Sequence, residues 1–100
     1  MPKKNYDDFL KNELEDTQVA AGYLSEALEG GSLEEFLVAL RNVAHAHGGI
    51  SELAELTKLN RQSMYKMLSE NGNPTLGTLA NLLKVMGIRI TFTPAQNKAV

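Results

Sequence analysis

The chain has 100 residues, 43% of them hydrophobic, which is enough for one domain with a modest core but not for two independent domains. It contains no cysteine, which excludes disulfide bonds and thiolate zinc sites and is typical of the reducing cytoplasm. The first residues, MPKKNYDDFL, lack the apolar core of a signal peptide, and no long apolar run follows. We therefore expect a cytoplasmic protein that does not interact with a membrane.

Charge is distributed unevenly along the chain. The net charge is −2, yet residues 1–49 carry four basic and nine acidic side chains, a charge of −5. Residues 50–100 carry six basic and three acidic side chains, a charge of +3. This asymmetry indicates different partners for the two halves, and the basic half suits nucleic acid. Because +3 is small, we expect two copies on adjacent half-sites to be needed for useful DNA affinity.

The acidic half, residues 1–49, is predicted to form three helices after a frayed end at residues 1–5. The first spans Tyr6–Glu15, and the second spans Thr17–Leu28 between a cap at Asp16 and a stop at Gly30-Gly31. Ser32 and Glu35 form a capping-box pattern that opens the third helix, which runs to about Ala46 and stops at Gly48-Gly49. The residues predicted to face the core are Tyr6, Phe9, Leu10, Leu14, Val19, Ala20, Tyr23, Leu24, Ala27, Leu28, Leu33, Phe36, Leu37, Leu40, Val43 and Ala44.

The next stretch, residues 50–94, begins with two short helices joined by a tight turn, Ile50–Thr57 and Arg61–Glu70. Asn60 is predicted to cap the second helix. This spacing matches a helix-turn-helix, whose second helix lies in the DNA major groove while the first crosses the phosphate backbone. The small side chain of Ala54 allows the two helices to approach closely. The apolar residues predicted to lie between the helices are Leu53, Ala54, Leu59, Met64, Met67 and Leu68.

Polar side chains are left on the outer face of the second helix of this pair. Their types suit DNA, because Arg and Lys donate to guanine and Gln pairs with adenine. We predict that Arg61, Gln62 and Lys66 contact base edges and that Asn60, Tyr65, Ser69 and Asn73 contact phosphates. The alternative is that this face is only a solvated helix surface.

A sixth helix, Leu76–Met86, is predicted between a cap at Thr75 and a stop at Gly87, with Leu76, Leu79, Leu82, Leu83 and Met86 facing the core. The alternation in Ile88–Thr93 then predicts one short β-strand. A lone strand leaves its backbone unpaired, so we expect Ile88, Ile90 and Phe92 to pair with a second copy or with a partner's sheet edge. The alternative is an extended tail packed loosely on the sixth helix. Residues 95–100 are predicted to be disordered.

No pattern for catalysis or for a cofactor is found. His45 and His47 point to different faces of a helix, so we expect no metal site and interpret them as surface or helix-end residues. No nucleophile motif or phosphate-binding loop occurs, and the carboxylates are scattered over polar helix faces. We therefore predict that the protein is not an enzyme and has no cofactor.

The segment LAELTKLNRQSMYKMLSENGNPTLGTLANLLKVMGI resembles the addiction module antidote proteins, HigA-like antitoxins within the phage-repressor-like (XRE/Cro-type) helix-turn-helix group. The resemblance covers about half of the chain strongly, and Tyr23–Leu28 in the N-terminal half is similar to the family more weakly. In one departure, the position before Leu59, often glycine in such turns, is Lys58, which adopts a left-handed conformation only at a cost.

The residue patterns predict an all-α fold of about six helices with one short C-terminal strand, and the resemblance identifies the helix pair as a lambda-repressor-like helix-turn-helix. It also implies that the protein neutralises a cognate toxin of the RelE/ParE-like class and, as a homodimer, represses its own operon by binding double-stranded DNA. The toxin would contact either the acidic N-terminal helices or the strand. Two other functions remain open: a stand-alone phage-type regulator without a toxin, and a protein-interaction module that does not bind DNA.

Overall fold

The computed structural model describes residues 2–95, and their side chains from residue 6 onward. This part of the chain forms six helices: α1 (Pro2–Leu14), α2 (Thr17–Gly30), α3 (Leu33–Ala46), α4 (Gly49–Thr57), α5 (Arg61–Met67) and α6 (Leu76–Val85). Helix α3 packs against α1, α2 and α4, whereas α4 packs against α3, α5 and α6. The two central helices, α3 and α4, therefore connect α1 and α2 to α5 and α6.

Side-chain caps determine where the helices begin, and all four predicted caps are confirmed. The Ser32 hydroxyl accepts from the Glu35 N–H at 3.2 Å while the Glu35 carboxylate accepts from the Ser32 N–H at 3.0 Å, which completes the capping box. Asp16 accepts from the Gln18 N–H at 2.8 Å. Asn60 and Thr75 accept from the backbone N–H three residues on, at 2.6 and 3.1 Å.

Two helix boundaries differ substantially from the prediction. The frayed end predicted for residues 1–5 is wrong for residues 2–5, because α1 already begins at Pro2, and proline is favoured in the first turn of a helix. Helix α5 ends at Met67 instead of Glu70. Beyond Met67 the Ser69 hydroxyl donates to the Lys66 carbonyl at 2.8 Å, a local bond that competes with further helix. Gly72 then folds back onto the Met67 carbonyl so closely that a Cβ atom would clash.

The buried core draws residues from all six helices, and most predicted core residues belong to it. The exceptions lie at helix ends or on the outer turns of α1 and α2. Tyr6 and Phe9 are 61% and 60% exposed, whereas Leu14 is the one predicted core residue of α1 that is fully buried and Leu10 is partly buried. The predicted core residues that are exposed are Tyr6, Phe9, Val19, Leu28, Leu33 and Leu76.

The predicted C-terminal strand is not seen, since residues 88–95 form no regular secondary structure and no strand occurs anywhere between residues 2 and 95. Ile88 is buried, and its N–H donates to the Leu83 carbonyl at 2.8 Å, so this residue packs at the end of α6. Farther along, Phe92 is 89% exposed. Alternation predicts an extended chain, but a strand also needs a neighbouring chain for its backbone hydrogen bonds, and residues 2–95 provide none. The predicted disorder of residues 96–100 lies outside the described residues.

Candidate nucleic-acid interface

The turn between α4 and α5 consists of Lys58, Leu59 and Asn60, and it is tightly hydrogen-bonded to the end of α4. Lys58 has φ 65°, in the left-handed region, where a glycine is often found in similar turns. The Leu59 N–H donates to the Ala54 carbonyl at 3.0 Å, and the Lys58 N–H donates to the Glu55 carbonyl at 3.2 Å. After this turn, α5 packs against α4.

The inner faces of α4 and α5 are apolar and closely packed, as predicted. Ala54 is buried, which is consistent with a close approach of other helices to α4. Leu59 in the turn is only partly buried. The remaining residues predicted for this contact are all buried: Leu53, Met64, Met67 and Leu68.

The outer face of α5 presents the polar side chains that the sequence analysis assigned to DNA. Arg61, Gln62, Tyr65 and Lys66 are all exposed, and their spacing places them on one side of the helix. Seven residues of helix extend about 10 Å, so this face is compact. It offers two cations, one amide and one phenol hydroxyl without competition from a carboxylate on α5 itself.

The other three predicted contact residues flank this face. Asn60 uses its side-chain oxygen to cap α5, which leaves its NH2 group as the available donor. Ser69 is half-buried just beyond α5, and its hydroxyl donates to the Lys66 carbonyl. Asn73 is exposed in the loop before α6 and lines an open groove together with Ser63 and Lys66. The structure thus places the seven residues on and around α5, and their DNA contacts stay a prediction.

Three polar residues that support this region were missed by the sequence analysis. Thr57 is buried, and its hydroxyl donates to the Leu53 carbonyl at 2.7 Å. The Asn81 side chain of α6 donates to the Thr57 carbonyl at 3.2 Å, which joins the end of α4 to α6. Arg41 of α3 donates to the Leu68 carbonyl at the end of α5. Arg41 is the only Lys or Arg between Lys11 and Lys58, and that isolation could have identified it.

The described residues contain neither a cluster of three metal-ligating side chains nor a membrane-spanning helix. Within them, no three His, Asp or Glu side chains are close enough together to hold a metal ion. None of the helices described is both long and apolar enough to traverse a bilayer. His45 is exposed, and His47 lies at the end of α3 with Nε2 2.8 Å from the Leu14 carbonyl, so both histidines occupy the surface or helix-end positions that were expected.

Comparison with known proteins gives two matches of different extent. The family model described as "Probable addiction module antidote protein" matches residues 4–94. A protein of Haemophilus influenzae (strain ATCC 51907 / DSM 11121 / KW20 / Rd), named only as an uncharacterized protein, is 34% identical over 67 residues. That alignment covers 67% of this chain and 68% of the relative. No solved structure matches the chain significantly.

Proposed function

The chain belongs to the family of probable addiction module antidote proteins, and on that basis we propose that it is a DNA-binding antitoxin of the HigA-like, phage-repressor-like group. Membership of an antidote family implies a toxin partner. In this proposal the toxin is of the RelE/ParE-like class, and the antitoxin represses the operon that encodes both proteins. It acts by binding alone and catalyses no reaction.

The observation that carries the DNA-binding part is the exposed polar face of α5 above a buried apolar face. We assign α4 and α5 to a helix-turn-helix, in which α5 enters the major groove. Arg61, Gln62 and Lys66 then contact base edges, where each good bidentate contact contributes about 1–3 kcal/mol of discrimination. The Asn60 NH2 group, Tyr65 and Asn73 donate to phosphates and thereby position the helix, and Ser69 joins them by turning its hydroxyl from the Lys66 carbonyl to a phosphate.

The low positive charge of the DNA-binding half supports binding of the operator as a dimer. The half of the chain that contains α5 has a charge of only +3, and α5 has only seven residues. One copy therefore makes few phosphate and base contacts, so two copies on half-sites about 34 Å apart are needed for specific binding.

The proposal is tested by fluorescence anisotropy on a duplex from upstream of the chain's own gene, against a scrambled duplex, at two salt concentrations. Arg61→Ala is compared with Lys84→Ala, since each removes one exposed cation and only Arg61 lies on α5. We expect Arg61→Ala to weaken operator binding about 5- to 150-fold and to abolish the preference over the scrambled duplex. Lys84→Ala should keep that preference, and binding of the wild type should weaken as salt rises.

Other results of this assay would contradict the proposal or support one of the two alternative functions, the protein-interaction module or the stand-alone regulator. Equal operator binding by wild type and Arg61→Ala would contradict the assignment of Arg61 to a base edge. A wild type that prefers neither duplex, with or without the product of the neighbouring gene, would indicate a protein-interaction module. Specific operator binding by a chain that binds no neighbouring gene product would indicate a stand-alone regulator.

A further inference from the structure

The outer stripe of α3 forms the floor of a groove on the acidic N-terminal helices. Glu35, Val38, Asn42 and His45 follow one another at intervals of three or four residues, so they lie on one side of α3. One end of the groove lies between α2 and α3 and includes Glu35 and Val38. The other end lies between α1 and α3 and includes Asn42 and His45. We call this feature the α3 groove.

A hydrogen bond joins the two ends of the α3 groove. The Asn42 side chain donates to the Tyr23 hydroxyl at 2.9 Å, and Tyr23 lines the end between α2 and α3 while Asn42 lines the other. The stripe from Glu35 to His45 covers ten residue steps of helix, about 15 Å. The two ends are separate depressions, and a helical segment of about ten residues from another protein would reach both by lying along this stripe.

The α3 groove is acidic at its walls, and its floor carries one exposed apolar side chain, Val38, among polar ones. Asp7, Asp8 and Glu26 line its walls and Glu35 lies at one end, against a single cation, Lys11. Val38 is 46% exposed in the middle of α3, where a polar residue would be expected on a solvated face. The carboxylates repel a phosphate backbone, so nucleic acid does not fit here. Charges around a central apolar contact are instead typical of a protein interface.

We propose that the α3 groove docks a basic segment of the toxin. This inference rests on the proposed function, which supplies the toxin, and it selects the N-terminal helices over the C-terminal segment as the contact. In this arrangement Lys or Arg side chains of the toxin pair with the carboxylates, and an apolar side chain covers Val38. The groove is formed by α1, α2 and α3, whereas the proposed DNA contacts lie on and around α5, so one chain binds both partners together.

The test is isothermal titration calorimetry of the full chain with the purified product of the neighbouring gene. Asp8→Lys/Glu26→Lys places a cation on each wall, and Glu13→Lys/Glu55→Lys is the matched control at exposed positions that do not line the groove. Both pairs change the net charge from −2 to +2. We expect the groove pair to weaken binding about 10- to 100-fold and the control pair to bind nearly as the wild type.

A second pair of variants tests the floor of the groove. Val38→Arg places a large cation in the α3 groove, and Leu56→Arg makes the same change of charge at a side chain of α4 that is 53% exposed. Val38→Arg should weaken toxin binding to a similar extent as the groove pair, whereas Leu56→Arg should not. Circular dichroism melts and the operator assay establish that each variant is folded.

The outcomes distinguish a failure of the docking site from a failure of the proposed function. Groove variants that bind the toxin as tightly as their controls would overturn the docking site and leave the antitoxin assignment intact. A wild type that binds no toxin would overturn the docking site together with the toxin half of the proposed function. Loss of toxin binding in the groove variants, with operator binding unchanged, would support the docking site.

Discussion

Lys58 illustrates how a single residue is forced by its turn into an unfavourable backbone conformation. Among residues 2–95 it is the only non-glycine residue with positive φ, at 65°. Its Cβ atom makes this conformation cost about 1–2 kcal/mol relative to the right-handed region. The turn is nevertheless retained, because the N–H groups of Lys58 and Leu59 satisfy the last carbonyls of α4.

Replacing Lys58 by glycine should therefore stabilise the protein. The left-handed strain is removed, and the greater flexibility of glycine in the unfolded chain offsets part of the gain. We expect the free energy of unfolding to rise by about 0.5–1 kcal/mol and Tm by about 2–8 °C in a thermal melt.

Lys11→Gly is the control, because Lys11 is an exposed lysine within α1 that lacks positive φ. This change should lower the free energy of unfolding by about 1 kcal/mol. If Lys58→Gly destabilised the protein as much as Lys11→Gly does, the turn would not contain the strained residue that we describe.

At the scale of the helix, α5 depends on its neighbours more than on its own length. A helix of seven residues is far below the length that is stable alone in water. Its stability comes from the buried side chains of Met64 and Met67 and from the cap that Asn60 provides. The same residue, Asn60, is one of the proposed phosphate contacts, so its structural and functional roles must be separated.

Two substitutions at Asn60 separate these roles. Asn60→Ala removes the cap and should lower the free energy of unfolding by about 1 kcal/mol, measured by urea denaturation. Asn60→Asp keeps an oxygen that caps α5, so its stability should match the wild type. Because its carboxylate repels phosphate, Asn60→Asp should nevertheless weaken operator binding in the anisotropy assay. Wild-type affinity in this stable variant would remove Asn60 from the DNA contacts.

At the scale of the whole molecule, α3 connects the two halves. It packs against α1, α2 and α4, and its Arg41 side chain donates to the Leu68 carbonyl just after α5. The proposed toxin site and this bond to the end of α5 therefore lie on the same helix. Arg41 is partly buried and lies among residues of the acidic half, so its role is to fix α5 relative to α3.

Replacing Arg41 by methionine should test this connection. The substitution keeps much of the apolar stem but leaves the Leu68 carbonyl without its charged donor. We expect the free energy of unfolding to fall by about 1–3 kcal/mol in a urea titration. Arg89→Met, at an exposed arginine beyond α6, should have little effect. Equal stability of the two variants would show that the bond contributes nothing.

The positions of the helices could be predicted because their determinants are local. Asp16, the Ser32 and Glu35 pair, Asn60 and Thr75 each bond to backbone groups within three residues, so adjacent residues suffice to locate the caps. The exposed face of α5 was also predictable, because helical spacing separates its polar residues from Met64 and Met67. The bonds of Arg41 and Asn81 were not, since their partners lie 27 and 24 residues away.

The sequence by itself therefore determined the starts of the four capped helices, α2, α3, α5 and α6, the polar face of α5 and the resemblance to an antidote family, which the family match supports. Only the tertiary structure decided that Tyr6 and Phe9 are exposed, that residues 88–95 form no strand, and that the outer stripe of α3 lies in an acidic groove. The physical reason is the range of the interactions. A cap is complete within one turn of helix, whereas burial, strand pairing and a groove each depend on which distant segment packs opposite.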